Sequence, residues 1–240
     1  LCAVLAGLLA GTVTGLLHVL LGIPPILAGI LTQMVLWSVN LKILGKANQA
    51  LPARSIDVLL SQMNIPAALP VLLGWAAVLV TLLVLFFSTE LGCALRATGC
   101  NPVMSRAQGV NTGLMKVIGL ALSNAVVAMS GGLLCQYQGY TDVNMGRGAV
   151  VIGLAAVVIG QAVLGRHGGH MAAQLGGVVL GAVIYYIVYQ VIIFAGFDTD
   201  LLKMFSAVVV AVFLGVPHVR DQIRTNSRIK KGGSRHAENA

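Results

Sequence analysis

Five histidines, four cysteines and seven carboxylates are the side chains of this 240-residue sequence with the most chemistry to offer. Cys2, Cys93, Cys100 and Cys135 lack the close pairing of a zinc site, and on the side of the membrane argued below Cys93 and Cys100 would not keep a disulfide, so all four are read as small buried residues. In "RHGGH", His167 and His170 could ligate a metal only with a third ligand from elsewhere, and none stands nearby. That segment is read as a solvated turn, and no metal site is expected. His18 falls inside an apolar run, where an ionisable residue is a candidate functional group by default, although a neutral imidazole bonded to a neighbouring helix accounts for it equally well.

The carboxylates say most by where they stand. Asp57, Glu90, Asp142, Asp198, Asp200, Asp221 and Glu238 all fall in loops, span edges or the tail. A proton- or sodium-driven carrier keeps an ionisable group at depth for its coupling ion, and no carboxylate in this sequence is so placed. Nor is there a phosphate-binding GxxxxGK[ST] loop, since Gly45-Lys46 has neither the first glycine nor a following hydroxyl residue. No catalytic residue or cofactor is expected in this chain. If it drives transport, the energy comes from another subunit.

The elements that carry these residues are membrane helices. The chain is 58% hydrophobic and 9% charged, with a mean hydropathy of +0.92, against roughly a quarter charged in a soluble domain. Its charge-free runs cover 1–41, 58–89, 117–141, 148–165, 167–197 and 204–219, and about 20 apolar residues cross a bilayer as a helix. The first run holds two spans, because Pro24 and Pro25 break it near the middle. Seven spans follow, near 1–21, 25–44, 67–87, 115–134, 148–164, 172–195 and 202–218. Continuous runs such as "VLLGWAAVLVTLLVLFF" do not alternate as barrel strands do, so the fold class is all-α, a polytopic membrane helix bundle. Gly7, Gly11 and Gly15, and again Gly177 and Gly181, are spaced for close helix approach. Leu1 lies inside an apolar stretch with no Met or basic segment before it, so the expectation is a chain lacking upstream helices rather than one with a signal peptide.

Lysine and arginine mark the cytoplasmic side of short loops. With seven spans, Arg96, Arg106, Lys116, Arg166 and six basic residues of the tail share one side, against Lys42, Lys46, Arg54, Arg147 and Lys203 on the other. This predicts a cytoplasmic C-terminus, a transmembrane domain over 1–219 with a cytoplasmic loop at 88–115, and a basic cytoplasmic tail over 220–240. The net charge of +8 then reflects topology and contact with anionic lipids. The basic tail has no interleaved aromatics, and no nucleic-acid partner is expected.

The stretch "LGCALRATGCNPVMSRAQGVN" at 91–111 interrupts the apolar pattern. Glu90 to Thr98 can form a helix with Gly99 as its stop, Asn101 can cap a second helix with Pro102 at its first position, Gly109 can end it, and Asn111 or Thr112 can cap the next span. Two short helices joined by tight turns would transmit a push, since few torsions are free to absorb it. An ordinary cytoplasmic loop accounts for the same residues equally well.

"GCALRATGCNPVMSRAQGVNTGLMKVIGLALSNAVVAMSGGL" resembles the cytoplasmic loop and following helix of permease subunits of bacterial ABC importers, in the branched-chain amino-acid and ribose permease superfamily. The matching residues are Arg96, Ala97, Gly99, Asn101, Ala107, Gly109, Asn111, Lys116 and "SGGL" at 130–133, with further similarity in "IPPILAGILTQMVLWSVNLKILGKAN" and "YTDVNMGRGAVVIGLAAVVIGQAVLG". The resemblance is greatest to a branch associated with tryptophan, tyrosine or similar small solutes. It implies that Asn101 to Gly109 form a coupling helix docking in a separate ATPase subunit, with Arg96 and Arg106 contacting that ATPase or lipid phosphates. Arg96, Gly99, Asn101, Pro102, Arg106, Ala107, Gly109 and Asn111 are therefore the candidate coupling residues. It further implies ATP and Mg2+ in the ATPase, an extracytoplasmic solute-binding protein, a second copy of the permease in a homodimer, and residence in the bacterial inner membrane. The chain departs from the family where Gln161 stands in place of an acidic residue. Polar Ser123, Asn124 and Gln161 are candidates for the translocation path, with interhelical hydrogen bonds as their plainer explanation. Two rivals to the importer are an ion-coupled secondary carrier or channel, and a membrane scaffold that moves nothing.

Overall fold

A computed structural model describes residues 1–50, 65–146, 149–164 and 171–194. The chain divides into two compact units, Leu1–Gly146 and Arg147–Ala240.

In the first unit, α1 (Cys2–Leu20) and α2 (Pro25–Leu44) form a hairpin. Each runs about 30 Å at 1.5 Å per residue, the thickness of a hydrocarbon core. The turn between them is set by sequence: Pro25 opens α2 at a position where no intrahelical N–H is needed, and Pro24 before it is extended. A three-residue strand, β1 (Asn48–Ala50), follows. Helix α3 (Ile65–Ser88) then leads into two short helices, α4 (Glu90–Cys100) and α5 (Pro102–Ala107), before the long α6 (Thr112–Gln138). Strand β2 (Tyr140–Asp142) pairs antiparallel with β1, Asn48 opposite Asp142. The end of α1 lies beside the start of α6, where a Cβ on Gly113 would sit 3.1 Å from Val19 Cγ1. The α1–α2 turn and the α4–α5 corner therefore share one end of this unit, and the two strands close the other.

The main seam of the unit is α1 against α6. A Cβ on Gly7 would meet Ala128 and the Asn124 carbonyl at 2.6 Å, and one on Gly11 would meet the Leu120 carbonyl at 2.5 Å. One on Gly15 would meet Val117 Cα at 2.9 Å. The glycine face expected from the sequence is thus the contact surface, and backbone touches backbone along three turns.

The second unit contains α7 (Ala149–Leu164) and α8 (Met171–Phe194). Gly160 abuts the Gly177 carbonyl and Gly181 abuts the Ala156 carbonyl. Ala155, Ile159 and Tyr185 form the buried centre, with Tyr185 stacked on Tyr189 at 6.5 Å between ring centroids.

Among the described residues, five helices are long and apolar enough to cross a membrane: Cys2–Leu20, Pro25–Leu44, Leu69–Ser88, Thr112–Gln138 and Met171–Phe194. They coincide with five of the seven expected spans. The expected span at 148–164 is α7, a 16-residue apolar helix about 24 Å long. The seventh, at 202–218, the basic tail, and Arg166, His167 and His170 lie outside the described residues.

Candidate functional site: the polar corner between α3 and α6

The corner begins where α3 stops. Thr89 caps α4, its hydroxyl accepting from the Gly92 N–H at 3.3 Å. Gly92 is buried against the Phe86 carbonyl and the Phe87 backbone, with no room for a Cβ. Only glycine lets α4 turn away from α3 so abruptly. Leu95 then leans on α6, with its Cδ1 3.1 Å from where a Cβ of Gly119 would stand.

Helix α4 does not stop at Gly99, as the sequence suggested. It runs through Cys100, and the break falls on Asn101, whose φ of −150° and ψ of 96° are extended. The reason is Asn101 itself. Its Oδ1 accepts from both Val103 N–H and Met104 N–H at 3.1 Å, which requires an extended backbone at the cap and so ends the preceding helix one residue before it. Pro102 follows at the first helical position. The far end of α5 closes as expected: Gly109 has φ +85°, and Val110 N–H donates back to the Ser105 carbonyl at 3.0 Å. Asn111 caps α6 by accepting from Leu114 N–H at 3.1 Å.

Six of the candidate coupling residues are thus at helix ends: Asn101, Pro102, Ala107, Gly109 and Asn111 at the ends of α5 and α6, and Arg106 in the last turn of α5. Arg96 and Gly99 lie exposed along α4. Arg106 is exposed, yet its Nε donates to Thr112 Oγ1 at 2.7 Å, tying α5 to the first residue of α6. Thr112 is 1% exposed, so this bond is anchored in the packed end of the bundle.

Two residues of the corner were missed from sequence. Val103 is 77% exposed and Met104 59% exposed, on a six-residue helix outside the candidate spans. Both are apolar side chains projecting from a stiff, capped helix. Their signal was available, since both fall between the cap and the stop of a helix too short to bury them itself.

Asn124 lies in the α1–α6 seam with its Nδ2 bonded to the Leu120 carbonyl at 2.8 Å, whereas Ser123 is exposed on α6. Gln161 is exposed on α7, in the other unit. The first unit also holds an open cavity of about 280 Å³ lined by Val4, Trp75, Leu82, Phe86, Ala125, Met129 and other apolar side chains. It offers no partner to the charged groups of an amino acid.

His18 is held at both ring nitrogens, Nδ1 at 2.7 Å from the Ile23 carbonyl and Nε2 at 3.5 Å from Lys116 Nζ. Thr14 and Thr32, both buried, join α1 to α2 at 2.9 Å. The reading of the cysteines as buried is corrected: Cys2, Cys93 and Cys100 are exposed free thiols and Cys135 is half-buried. The α4 pair is exposed because that helix packs only its Gly92, Leu95 and Thr98 side inward. The two carboxylates among the described residues, Glu90 and Asp142, stand outside the candidate spans, Asp142 accepting from Asn144 N–H at 2.6 Å.

Residues 1–217 match the family of branched-chain amino acid transport system permease components. The chain belongs to that family. It is 35% identical over 231 residues to the tyrosine transport system permease protein of Clostridioides difficile (strain R20291), covering 95% of this chain and 76% of that relative. An uncharacterised protein of Rickettsia prowazekii (strain Madrid E) is 27% identical over 214 residues, or 88% of this chain and 76% of the relative. The autoinducer 2 import system permease protein of Escherichia coli (strain K12 / DH10B) is 31% identical over 182 residues, covering 72% of this chain and 50% of that protein. No solved structure gives a significant match. The protein is a multi-pass membrane permease of the ABC importer superfamily, and the α4–α5 corner lies within the matched region.

Proposed function

We propose that this permease forms half of the translocation path of a bacterial ABC importer for amino-acid-like solutes, and that α5 is the segment through which a separate ATPase drives it. The observation that carries the reading is the pair Val103 and Met104, exposed at the tip of a helix whose both ends are fixed by caps. An apolar tip on a rigid mount suits insertion into a cleft of a partner, and a helix clamped at both ends cannot dissipate the push it receives. Arg96, exposed on α4, stands where it can meet the ATPase rim or a lipid phosphate.

In this reading the corner and the C-terminus face the cytoplasm of an inner membrane, two permease chains pair, and two ATPases carry the ATP and Mg2+. An extracytoplasmic binding protein delivers the solute. ATP-driven closure of the ATPases displaces α5, and the bundle changes the side to which it opens. Similarity to the tyrosine transport permease supports an amino acid as cargo. Ser123, Asn124 and Gln161 remain candidate path residues.

The test is Met104→Asp in the importer reconstituted with its ATPase. A charge at the centre of an apolar contact costs about 2 kcal/mol or more, roughly 30-fold in ATPase affinity. The variant is expected to insert and fold normally while losing ATPase co-purification and L-tyrosine uptake. Full ATPase binding by Met104→Asp would rule out α5 as the coupling contact.

A further inference from the structure

The corner is linked by side chains to the opposite hairpin, and the links form one continuous route. Arg106 on α5 donates to Thr112 at the head of α6, at 2.7 Å. One turn along α6, Lys116 Nζ reaches His18 Nε2 on α1 at 3.5 Å, the long end of hydrogen-bond reach. The other nitrogen of that ring, Nδ1, is 2.7 Å from the carbonyl of Ile23, in the turn that starts α2. One tautomer serves both contacts: Nδ1–H donates to the carbonyl, and Nε2 accepts from the ammonium. His18 therefore bridges the α1–α2 turn to Lys116 of α6, one contact on each side of its planar ring.

We infer that His18 and Lys116 are positioning residues that pass a displacement of α5 and the head of α6 to the α1–α2 hairpin. This rests on the reading of α5 as the driven segment. The hairpin itself is suited to move as one body, because Thr14 and Thr32 join its two helices at 2.9 Å inside the bundle. It is also pressed on α6 along the glycine seam, which transmits compression, whereas the polar link at the turn resists separation. Seam and link together make α1 follow α6 in both directions. These residues form a contiguous chain of packed and bonded side chains of the kind along which coupling can travel.

The experiment uses the full importer in proteoliposomes, in a background with the four native cysteines replaced by serine, and follows maleimide labelling of two single cysteines. Gln108→Cys, exposed at the C-cap of α5 and outside the proposed contact residues, reports ATPase docking by protection when the ATPase is bound. Ile26→Cys, on the exposed first turn of α2, reports the hairpin by its change in labelling rate between the nucleotide-free and ATP–vanadate states. In the parent both responses are expected. In His18→Ala and Lys116→Met, protection at 108 is expected to persist while the nucleotide-dependent change at 26 shrinks by about 2- to 30-fold, the range for residues that carry coupling. Lys116→Arg, which keeps a donor, is expected to retain the change. An undiminished response at 26 in both His18→Ala and Lys116→Met, with 108 still protected, would overturn the link. Absence of protection at 108 in the parent would overturn the driven-segment reading and the link with it.

Discussion

Along the α1–α6 seam glycine serves by what it lacks, since Gly7, Gly11 and Gly15 let backbones approach to distances that any Cβ would block. At the α3–α6 corner the same residue is used singly, Gly92 for one sharp turn and Gly109 for a left-handed φ of +85°, and the shape is otherwise set by capping side chains. The seam is specified by volume and repeats every four residues. The corner is specified by hydrogen bonds that each occur once. The two regions should accordingly fail in different ways: the seam by separating helices, the corner by fraying without loss of the bundle.

The largest effect is expected from Gly11→Val. Its side chain would meet the Leu120 carbonyl and Ala121 Cα, which belong to the backbone of α6 and cannot rotate away. Overpacking of this kind costs about 3 kcal/mol. Thermal unfolding in detergent is expected to shift down sharply, with uptake lost in proportion to folded protein. A Gly11→Val protein of normal stability would mean that the seam is not the packed core of the first unit.

Asn101→Ala tests the other region. Removing Oδ1 leaves the Val103 and Met104 N–H groups without their shared acceptor, at a cost of about 1 kcal/mol confined to α5. Hydrogen exchange of the α5 amides is expected to quicken about fivefold, while the unfolding temperature stays within error of the parent. Asn101→Asp, which keeps an acceptor, is expected to restore the slow exchange. Equal losses of global stability from Asn101→Ala and Gly11→Val would erase the distinction between corner and seam.

How much of this could be read in advance follows the same division. The seam was legible, because helix contact in a bilayer selects small residues and the spacing of Gly7, Gly11 and Gly15 is a property of the sequence itself. The caps Asn101 and Asn111 and the stop at Gly109 were legible for the same reason: each is local. Gly99 misled because glycine is permitted, not required, to end a helix, and the stronger local demand came from the two N–H groups that Asn101 accepts. The cysteines misled because residue type gives an average burial, and α4 presents most of its surface outward. Lys116 against His18, 98 positions apart, could not be read, since no local pattern encodes which helices become neighbours. The exposure of Val103 and Met104 could have been, had the length of α5 been weighed against its apolar content.

The smallest effect belongs to the bond between Thr14 and Thr32, which lies inside the hairpin and belongs to neither extreme. Three acceptor contacts surround two hydroxyl protons: Thr14 to Thr32 at 2.9 Å, Thr14 to the Ala10 carbonyl at 2.9 Å, and Thr32 to the Ala28 carbonyl at 2.9 Å. Each hydroxyl has one proton to give, so Thr32 donates to Ala28 and accepts from Thr14, with the Ala10 carbonyl as the alternative acceptor for Thr14. In Thr14→Val the proton of Thr32 keeps its acceptor, and in Thr32→Val that of Thr14 turns back to Ala10. Neither substitution strands a buried donor. Each is therefore expected to cost only about 0.6 kcal/mol, the average for interhelical hydrogen bonds in membranes, and a double-mutant cycle should return a coupling of similar size. A coupling of about 2 kcal/mol would instead mean that a hydrogen bond, and not shape, holds the hairpin together, placing α1–α2 with the corner rather than with the seam.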